Sequence, residues 1–301
     1  MKRATEITPA LLRRWRLPAL DSRLGKVARG KVLVVGGSDE IPGAAILAAT
    51  AALRAGAGTL VIATSATLAV HVAVAVPEAR VIGLRTTRAG ELAKGAVTKL
   101  REVVDGCDAV LIGPGMRDPR AGQELLAAAK RSPALFVVDA GGLDGLSNAR
   151  AASRPVNTVI TPHAGEMARL LDIGPDEVLA TPQAIAIRAA EQLRVIVVLK
   201  GPVTYVAAPD GTCLVNRAGN LGLGTSGSGD TLAGVIAGLG ARGASPIQAA
   251  AWAIHVHAKA GDVLARSVGP LGYLARELLD EIPRLVGTYA KAPRRNARRS
   301  S

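Results

Sequence analysis

The chain contains 301 residues, of which 49% are hydrophobic and 20% charged, and its formal net charge at pH 7 is +13. This composition is that of a packed globular protein and excludes a wholly disordered chain. Cys107 and Cys213 are the only cysteines, so a disulfide scaffold and a zinc cluster built on cysteines are excluded as well.

Short runs of β-branched and aliphatic residues alternate with alanine-rich segments along the first two thirds of the chain. Each run is apolar throughout, as expected for a strand that helices cover on both faces. The runs predict strands at Lys31–Gly36, Thr59–Ala63, Arg80–Leu84, Ala109–Ile112, Leu135–Asp139, Thr158–Ile160 and Val195–Leu199. The intervening segments predict crossover helices, as at Ala44–Ala55, Ala66–Val76 and Pro119–Arg131. This alternation predicts a mostly parallel sheet in an α/β/α sandwich.

The pattern changes after Leu199. Val203–Ala207 and Thr212–Val215 flank the turn sequence Pro209-Asp210-Gly211, which predicts a hairpin that adds an antiparallel edge to the sheet. From there to the C-terminus the spacing of apolar residues predicts helices at Asp230–Gly240, Ser245–Ala265 and Leu271–Leu285.

Positive charge is concentrated at the two ends of the chain. Residues 1–31 carry a net charge of +7 and residues 291–301 carry +5, which leaves +1 for the rest. We therefore predict a basic flank at 1–24, one domain at 25–288 and a basic, disordered tail at 289–301. Such a tail can contact nucleic acid. A solvated terminus is the simpler interpretation, and with aromatic residues at only 2% we do not expect nucleic acid binding.

Neither a signal peptide nor a membrane span is expected. Basic residues near the N-terminus are not followed by an apolar segment. The longest segment without charged residues, from Ala55 to Pro77, contains two glycines, a histidine and several Ser and Thr residues. It divides into a predicted strand and helix rather than forming a span of about 20 apolar residues. The sequence therefore predicts a cytoplasmic protein.

The most informative segment places four glycines before an acidic residue, in Gly222-Leu-Gly224-Thr-Ser-Gly227-Ser-Gly229-Asp230. Its match to G-x-G-x-x-G is not a dinucleotide fingerprint, because no strand precedes it and only helices follow. Glycines before a helix let backbone N–H groups converge on an oxyanion. Asp230 is then either a helix cap or a base for a hydroxyl that attacks a phosphate, and the glycine run favours the base.

A second segment, Thr161-Pro-His163-Ala-Gly165-Glu166, follows the predicted strand Thr158–Ile160. Ligand-binding loops of parallel sheets lie at this end of the strands. His163 is a candidate ligand contact, and Glu166 is a candidate magnesium contact through water. Alternatively, Thr161 or His163 caps a helix and Glu166 completes a capping box.

Loops after other strands supply weaker candidates. Gly36-Gly37-Ser38 and Gly113-Pro-Gly115 would let a ligand approach the backbone. Asp139 ends a strand, where it either orients a metal or substrate or forms a tight turn. Lys200 begins Lys200-Gly-Pro-Val-Thr204, and its ammonium would neutralise a phosphate while the turn faces a nucleotide.

Together these segments resemble the ADP-dependent NAD(P)H-hydrate dehydratase family of the ribokinase-like superfamily. The resemblance covers almost all of residues 25–285. It is carried by Gly36-Gly-Ser38 with Pro42-Gly-Ala-Ala45, Ala52-Leu-Arg-Ala-Gly-Ala-Gly58, Ile112-Gly-Pro-Gly115, Thr161-Pro-His-Ala-Gly-Glu166, Leu199-Lys-Gly201 and Gly227-Ser-Gly-Asp230. It implies a ribokinase-like three-layer α/β/α fold and repair of the (S)-epimer of hydrated NADH or NADPH. A vitamin-precursor kinase of the same superfamily is the alternative.

The resemblance also implies residue roles. The adenine nucleotide, ADP or ATP with Mg²⁺, is expected at Lys200, Gly201, Pro202, Val203, Thr204 and Gly229. The hydrated coenzyme is expected at Ala44, Gly115, His163 and Asp230, with Asp230 as the catalytic base. The transferred phosphoryl group is expected at the amides of Gly227, Ser228, Gly229 and Asp230.

Relatives further imply a homotetramer. Many of them have a second Asp where this chain has Gly141, so any role of that acid is absent. Some are fused to an epimerase domain, which the residues before the first predicted strand are too few to form. We therefore expect a separate epimerase as a pathway partner.

Overall fold

The structure, a computed structural model, describes residues 3–19, 21, 23, 25–146 and 154–290. Its strands are β1 (Thr5–Glu6), β2 (Lys31–Val35), β3 (Thr59–Ser65), β4 (Ala79–Leu84), β5 (Ala109–Ile112), β6 (Leu135–Val138), β7 (Thr158–Ile160), β8 (Ile196–Leu199), β9 (Thr204–Ala207) and β10 (Cys213–Asn216). Its α-helices are α1 (Pro9–Arg14), α2 (Pro42–Arg54), α3 (Ala69–Ala75), α4 (Arg101–Asp105), α5 (Arg120–Ala128), α6 (Ala164–Leu171), α7 (Pro175–Ala180), α8 (Pro182–Leu193), α9 (Ser228–Ala241), α10 (Pro246–Ser267) and α11 (Ala275–Ala290).

The strands form one sheet in the order β1-β10-β9-β8-β7-β6-β5-β2-β3-β4. Strands β2 to β8 pair in parallel, whereas β9 is antiparallel to both β8 and β10. The predicted mostly parallel sheet with an antiparallel edge is therefore confirmed. The direction of strand order reverses between β5 and β2, and loops diverge at such a point to leave a crevice for ligands.

Helices cover both faces of the sheet. Along β2, Val32 and Val34 face one apolar cluster while Leu33 and Val35 face the other, and all four side chains are fully buried. The first cluster includes residues of α2, α9, α10 and α11, and the second includes residues of α5, α6 and α8. Burial on both faces explains why the parallel strands are continuously apolar in sequence.

Small residues bring α9 against α2. A methyl group added at Gly234 would collide with the carbonyl oxygen of Ala48, and one at Gly238 would collide with that of Ala52. This close approach fixes the first turn of α9 beside the first turns of α2, at the carboxyl ends of the strands.

The N-terminal segment, set apart above as a basic flank, contributes to the sheet and core. β1 pairs in parallel with β10, Leu12 is fully buried, and the Trp252 indole donates to the carbonyl oxygen of Trp15 at 2.8 Å. The apolar residues of the segment pack inward while Arg14 and Arg16 stay exposed. The tail predicted at 289–301 lies outside the described residues from 291 onward, and α11 includes its first two residues.

Two helices begin three or four residues later than the sequence predicts. The helix expected from Ala66 begins at Ala69, because Ser65 and Thr67 donate side-chain hydrogen bonds to Asp39. The helix expected from residue 271 begins at Ala275, where the Glu277 carboxylate accepts the amide of residue 274 at 2.6 Å. Within the described ranges, no helix is both long and apolar enough to cross a bilayer.

Candidate active site

The candidate site lies at the carboxyl ends of β8, β7, β6, β5 and β2, which are neighbours in that order. Lys200 follows β8, His163 follows β7, Asp139 follows β6, and Gly115 follows β5. The loops are joined by backbone contacts, because Lys200 N donates to the Pro162 carbonyl oxygen at 2.8 Å. Candidates that are up to 85 residues apart in sequence thus form one row across the sheet edge.

An ion pair forms the centre of this row. Asp139 is 2% exposed, and its Oδ1 accepts hydrogen bonds from Lys200 Nζ at 3.0 Å and from Thr161 Oγ1 at 2.7 Å. Glu166 Oε2 lies 3.8 Å from the same ammonium. Burial lowers the pKa of Lys200, but the Asp139 and Glu166 carboxylates outweigh this effect and raise it overall. Lys200 is therefore a fixed positive charge in the site.

The first turn of α9 lies directly beside this pair. A methyl group added at Gly229 would lie 3.3 Å from Lys200 Nζ and 3.8 Å from Asp139 Oδ2. The helix begins after Gly227, whose φ of +85° favours glycine. Ser228 N donates to the Thr225 carbonyl oxygen at 3.2 Å. Since first-turn amides lack intrahelical acceptors, those of Gly229 and Asp230 are candidates to bind an anion.

Asp230 has an unusual proton affinity. Burial, together with the negative charge of Asp139, raises the pKa of its carboxyl to about 7, although the positive charge of Lys200 opposes the increase. A carboxyl group with a pKa near neutrality can both accept and release a proton at physiological pH. This property favours a base over a simple cap, and the N-cap position of the helix is Gly227 rather than Asp230.

A cavity of about 650 Å³ opens beside Lys200. Of the residues predicted to bind the nucleotide, it is lined by Lys200, Gly201, Pro202, Thr204 and Gly229. Val203 is half-buried and is not among the lining residues. Further lining residues come from 216, 218–221 and 223–225, and from Leu232, Ile254 and His257. The cavity thus combines a cationic end with a largely apolar interior, as ligand pockets commonly do.

Ala44 and Gly115 lie elsewhere in the row. A methyl group at Gly115 would lie 3.2 Å from the Ala44 side chain, and Ser38 N donates to the Gly115 carbonyl oxygen at 3.0 Å. Neither residue lines the cavity. Gly115 belongs to the loop after β5 and Ala44 to the first turn of α2, so both lie on the β2 side of Asp139, whereas the cavity lies on the β8 side.

His163 and Glu166 form the capping box that the sequence offered as an alternative. His163 Nδ1 accepts the amides of Gly165 at 3.0 Å and Glu166 at 3.3 Å, and Glu166 Oε2 accepts the His163 amide at 2.8 Å. With Nδ1 as acceptor, the neutral ring carries its hydrogen on Nε2. The His163 side chain is 57% exposed and lines the cavity, so this N–H can reach a ligand.

The described part of the chain forms no metal cage of its own. Among the described residues, no group of three or more His, Cys, Asp or Glu side chains is arranged to hold a metal ion. Glu166 Oε2 is engaged in the capping box, and Oε1 lies 3.6 Å from His163 Nε2, so only Oε1 is open to a further contact through water. This arrangement fits Mg²⁺ bound mainly by nucleotide phosphates and water, as that ion prefers.

Two site contacts went unpredicted. Asp139 and Lys200 were separate candidates in the sequence. Their proximity could have been inferred because both follow strands of the same predicted parallel sheet. The second contact is made by His257 on α10. Its Nε2 lies 3.2 Å from Ser228 Oγ and 3.1 Å from the Ser228 carbonyl oxygen, and no motif pointed to this contact.

A mostly parallel sheet with an antiparallel edge, and a glycine-rich helix start beside a buried Lys and an Asp, define a protein of the ribokinase-like class. The family model described as NAD(P)H-hydrate dehydratase matches residues 32–284, and the chain belongs to this family. The resemblance stated from the motifs is therefore confirmed.

Individual relatives agree with this assignment. The ADP-dependent (S)-NAD(P)H-hydrate dehydratase of Xanthomonas campestris is 45% identical, and the alignment covers 97% of this chain and 98% of the relative. The bifunctional NAD(P)H-hydrate repair enzyme of Moorella thermoacetica is 39% identical over 90% of this chain, which spans only 52% of that relative. A crystal structure of ADP/ATP-dependent NAD(P)H-hydrate dehydratase from Bacillus subtilis, co-crystallised with ATP/Mg²⁺, matches with a TM-score of 0.82 at 29% identity, covering 96% of this chain and 100% of that one.

Proposed function

We propose that this protein dehydrates the (S)-epimer of hydrated NADH or NADPH at the expense of ADP and so restores the working coenzyme. The observation that carries the proposal is the position of Asp230. Its carboxyl group, with a pKa of about 7, lies in the glycine-rich first turn of α9 and is influenced by the charge of Lys200. The preceding residue, Gly229, lines the cavity. The family membership supports the choice of substrate.

The nucleotide fits the cavity side of the row. The cavity volume of about 650 Å³ lies within the usual range for small-molecule sites, roughly 300–1,000 Å³. In this arrangement residues 200–204 face the nucleotide, and its terminal phosphate points to the amides of Gly229 and Asp230. Mg²⁺, when bound, neutralises the phosphate oxygens, and Glu166 contacts it through water. The hydrated coenzyme then binds at the Ala44–Gly115 contact, and His163, which lines the cavity, contacts it from the nucleotide side.

The reaction would proceed in two steps. First, Asp230 accepts the proton of the ring hydroxyl, and the oxygen of that hydroxyl attacks the terminal phosphorus of ADP. The bond between this phosphorus and the bridging oxygen breaks, which releases AMP. Lys200 and the helix amides stabilise the charge on the transferred group. In the second step the carbon–oxygen bond breaks and phosphate leaves with the electron pair. The ring nitrogen lone pair assists, and loss of a proton from the adjacent ring carbon restores the dihydropyridine.

The test combines purified protein with hydrated NADH, ADP and Mg²⁺. We expect the dihydropyridine absorbance to return, with AMP and phosphate released in amounts equal to the NADH formed. Asp230→Asn is the matched control and should abolish all three signals. A thiazole or pyrimidine alcohol should not be phosphorylated. A stable phosphorylated alcohol without NADH formation would favour the alternative vitamin-precursor kinase.

Further properties rest on the same family. We expect a homotetramer, which size-exclusion chromatography with light scattering would test, and a cytoplasmic location, which a fluorescent fusion would test. A separate epimerase is the expected pathway partner, because the dehydration uses one epimer only. Adding such an epimerase to a mixture of both epimers should raise the yield of NADH from about half towards completion.

A further inference from the structure

The buried carboxylate of Asp139 has no part in the mechanism above. Its side chain is 2% exposed, and both recorded hydrogen bonds, from Lys200 Nζ and Thr161 Oγ1, reach the same oxygen, Oδ1. Removing an ion pair from water costs several kcal/mol per ion, so a buried pair is weak grounds for stability. The ion pair is therefore better explained by the position that Asp139 gives to the Lys200 ammonium.

Asp139 determines where the Lys200 ammonium lies. A lysine side chain is long and flexible, and Lys200 has a second carboxylate within 3.8 Å in Glu166. Asp139 is closer, at 3.0 Å, and is itself fixed by Thr161 at 2.7 Å. The ammonium consequently lies 3.3 Å from the position of a Gly229 methyl group, beside the amides proposed to receive the transferred phosphoryl group.

We infer that Asp139 is a positioning residue that holds Lys200 against the first turn of α9, so that the ammonium faces the phosphoryl group as it moves to the substrate hydroxyl. The kinetic part of this inference rests on the proposed function. Asp139 contacts neither the substrate nor the nucleotide in this arrangement. It acts on the transferred phosphoryl group through Lys200, and its negative charge also raises the pKa of Asp230.

The contact can be tested without turnover. Asp139 helps to raise the pKa of Lys200, so Asp139→Asn should lower that pKa and expose more of the reactive free amine. We expect acetic anhydride to label Lys200 several-fold faster in Asp139→Asn than in the unaltered protein, as measured by peptide mass spectrometry. Asp108→Asn is the matched control, because Asp108 accepts the Lys31 amide at the opposite edge of the sheet. An unchanged Lys200 labelling rate in Asp139→Asn would overturn the inference.

A double-mutant cycle tests the consequence for catalysis. Asp139→Asn should lower kcat about 100-fold, and Lys200→Met should do so at least as strongly. If Asp139 acts through Lys200, the double variant should be no slower than Lys200→Met alone. Multiplying effects would overturn the inference. Thr161→Val supplies a milder second variant, for which we expect a smaller loss of kcat and slightly faster Lys200 labelling.

The groups that face Asp230 add a pH readout. They are Asp139, Lys200 and Glu166, and Asp139→Asn removes a negative charge, so the acidic limb of the kcat profile should move to lower pH. A purely structural defect would lower kcat without moving the limb. If the unaltered protein restores no NADH, the proposed function fails while the labelling still tests the contact. If it does restore NADH but labelling is unchanged, the inference alone fails.

Discussion

His257 on α10 holds the first residue of α9. Its Nε2 lies 3.1 Å from the Ser228 carbonyl oxygen and 3.2 Å from Ser228 Oγ. Because a carbonyl oxygen only accepts hydrogen bonds, Nε2 must carry the hydrogen. Burial lowers the pKa of His257 to about 4, so the ring stays neutral above about pH 5. The contact fixes the helix start from the inner side of the cavity.

Replacing His257 should therefore disturb the nucleotide site. In His257→Ala, we expect KM for ADP to rise about tenfold, because Ser228 and the following amides lose their support. His257→Gln should recover most of this loss, since its amide N–H can reach the same oxygen. Steady-state kinetics with varied ADP measures both. Equal defects in the two variants would show that the hydrogen bond is not what matters.

Asp230→Asn should separate binding from turnover. We expect kcat to fall by about 10²- to 10⁴-fold, because the amide cannot accept the proton, while ADP binding by calorimetry changes less than about threefold. Near-normal turnover would remove Asp230 from the mechanism. Burial of this group disfavours its charged form, so the variant should also be at least as stable as the wild type at pH 8 in thermal unfolding.

The pH dependence of the wild type follows from the same group. The base must be ionised, so kcat should rise with pH and level off above the Asp230 pKa of about 7. Stability should change in the opposite direction. Since the folded state binds this proton more tightly than the unfolded one, the free energy of unfolding falls between about pH 4 and pH 7. Urea titrations of wild type and Asp230→Asn, which lacks this contribution, would measure the difference.

Gly229→Ala should affect chemistry without affecting folding. The added methyl group would lie 3.3 Å from Lys200 Nζ, so the ammonium must shift by a few tenths of an ångström, and we expect kcat to fall about tenfold. Alanine is the better helix former by about 1 kcal/mol, which should maintain Tm. Gly287→Ala is the matched control, because a methyl group there meets nothing within 4 Å, and its turnover should be unchanged.

The N-terminal segment should contribute measurably to stability. Leu12 is fully buried in the core cluster shared with α2 and α9. Leu12→Ala should lower the free energy of unfolding by about 2–5 kcal/mol, measured in urea. Arg14→Ala, at an exposed position of the same helix, should change it by less than about 0.5 kcal/mol. Similar values for both would show that the segment is not part of the cooperative unit.

The central sheet could be predicted because its strands are buried on both faces. Ala109–Ile112 and Thr158–Ile160 have the predicted bounds, because the limits of a short apolar run define where the buried strand begins and ends. β1 could not be predicted, because its residues, Thr5 and Glu6, are exposed and are held by backbone pairing with β10 rather than by a side-chain pattern.

The candidate site was predictable where glycines or a capping box appear within a few residues. The Gly227–Asp230 segment and His163 with Glu166 are such cases. The contacts of Lys200 with Asp139 and of His257 with Ser228 join residues 61 and 29 positions apart. Whether residues so far apart in sequence come into contact depends on strand order and helix packing, which local sequence patterns do not specify.

The pairing of β1 with β10 has a consequence for biosynthesis. Thr5 pairs with Leu214, so β1, the first strand of this sheet in chain order, gains its neighbour only after β10 has been synthesised. Contacts of such long sequence separation form slowly. During that interval β1 has no paired strand, and its unpaired backbone groups would be accessible to chaperones that bind the nascent chain.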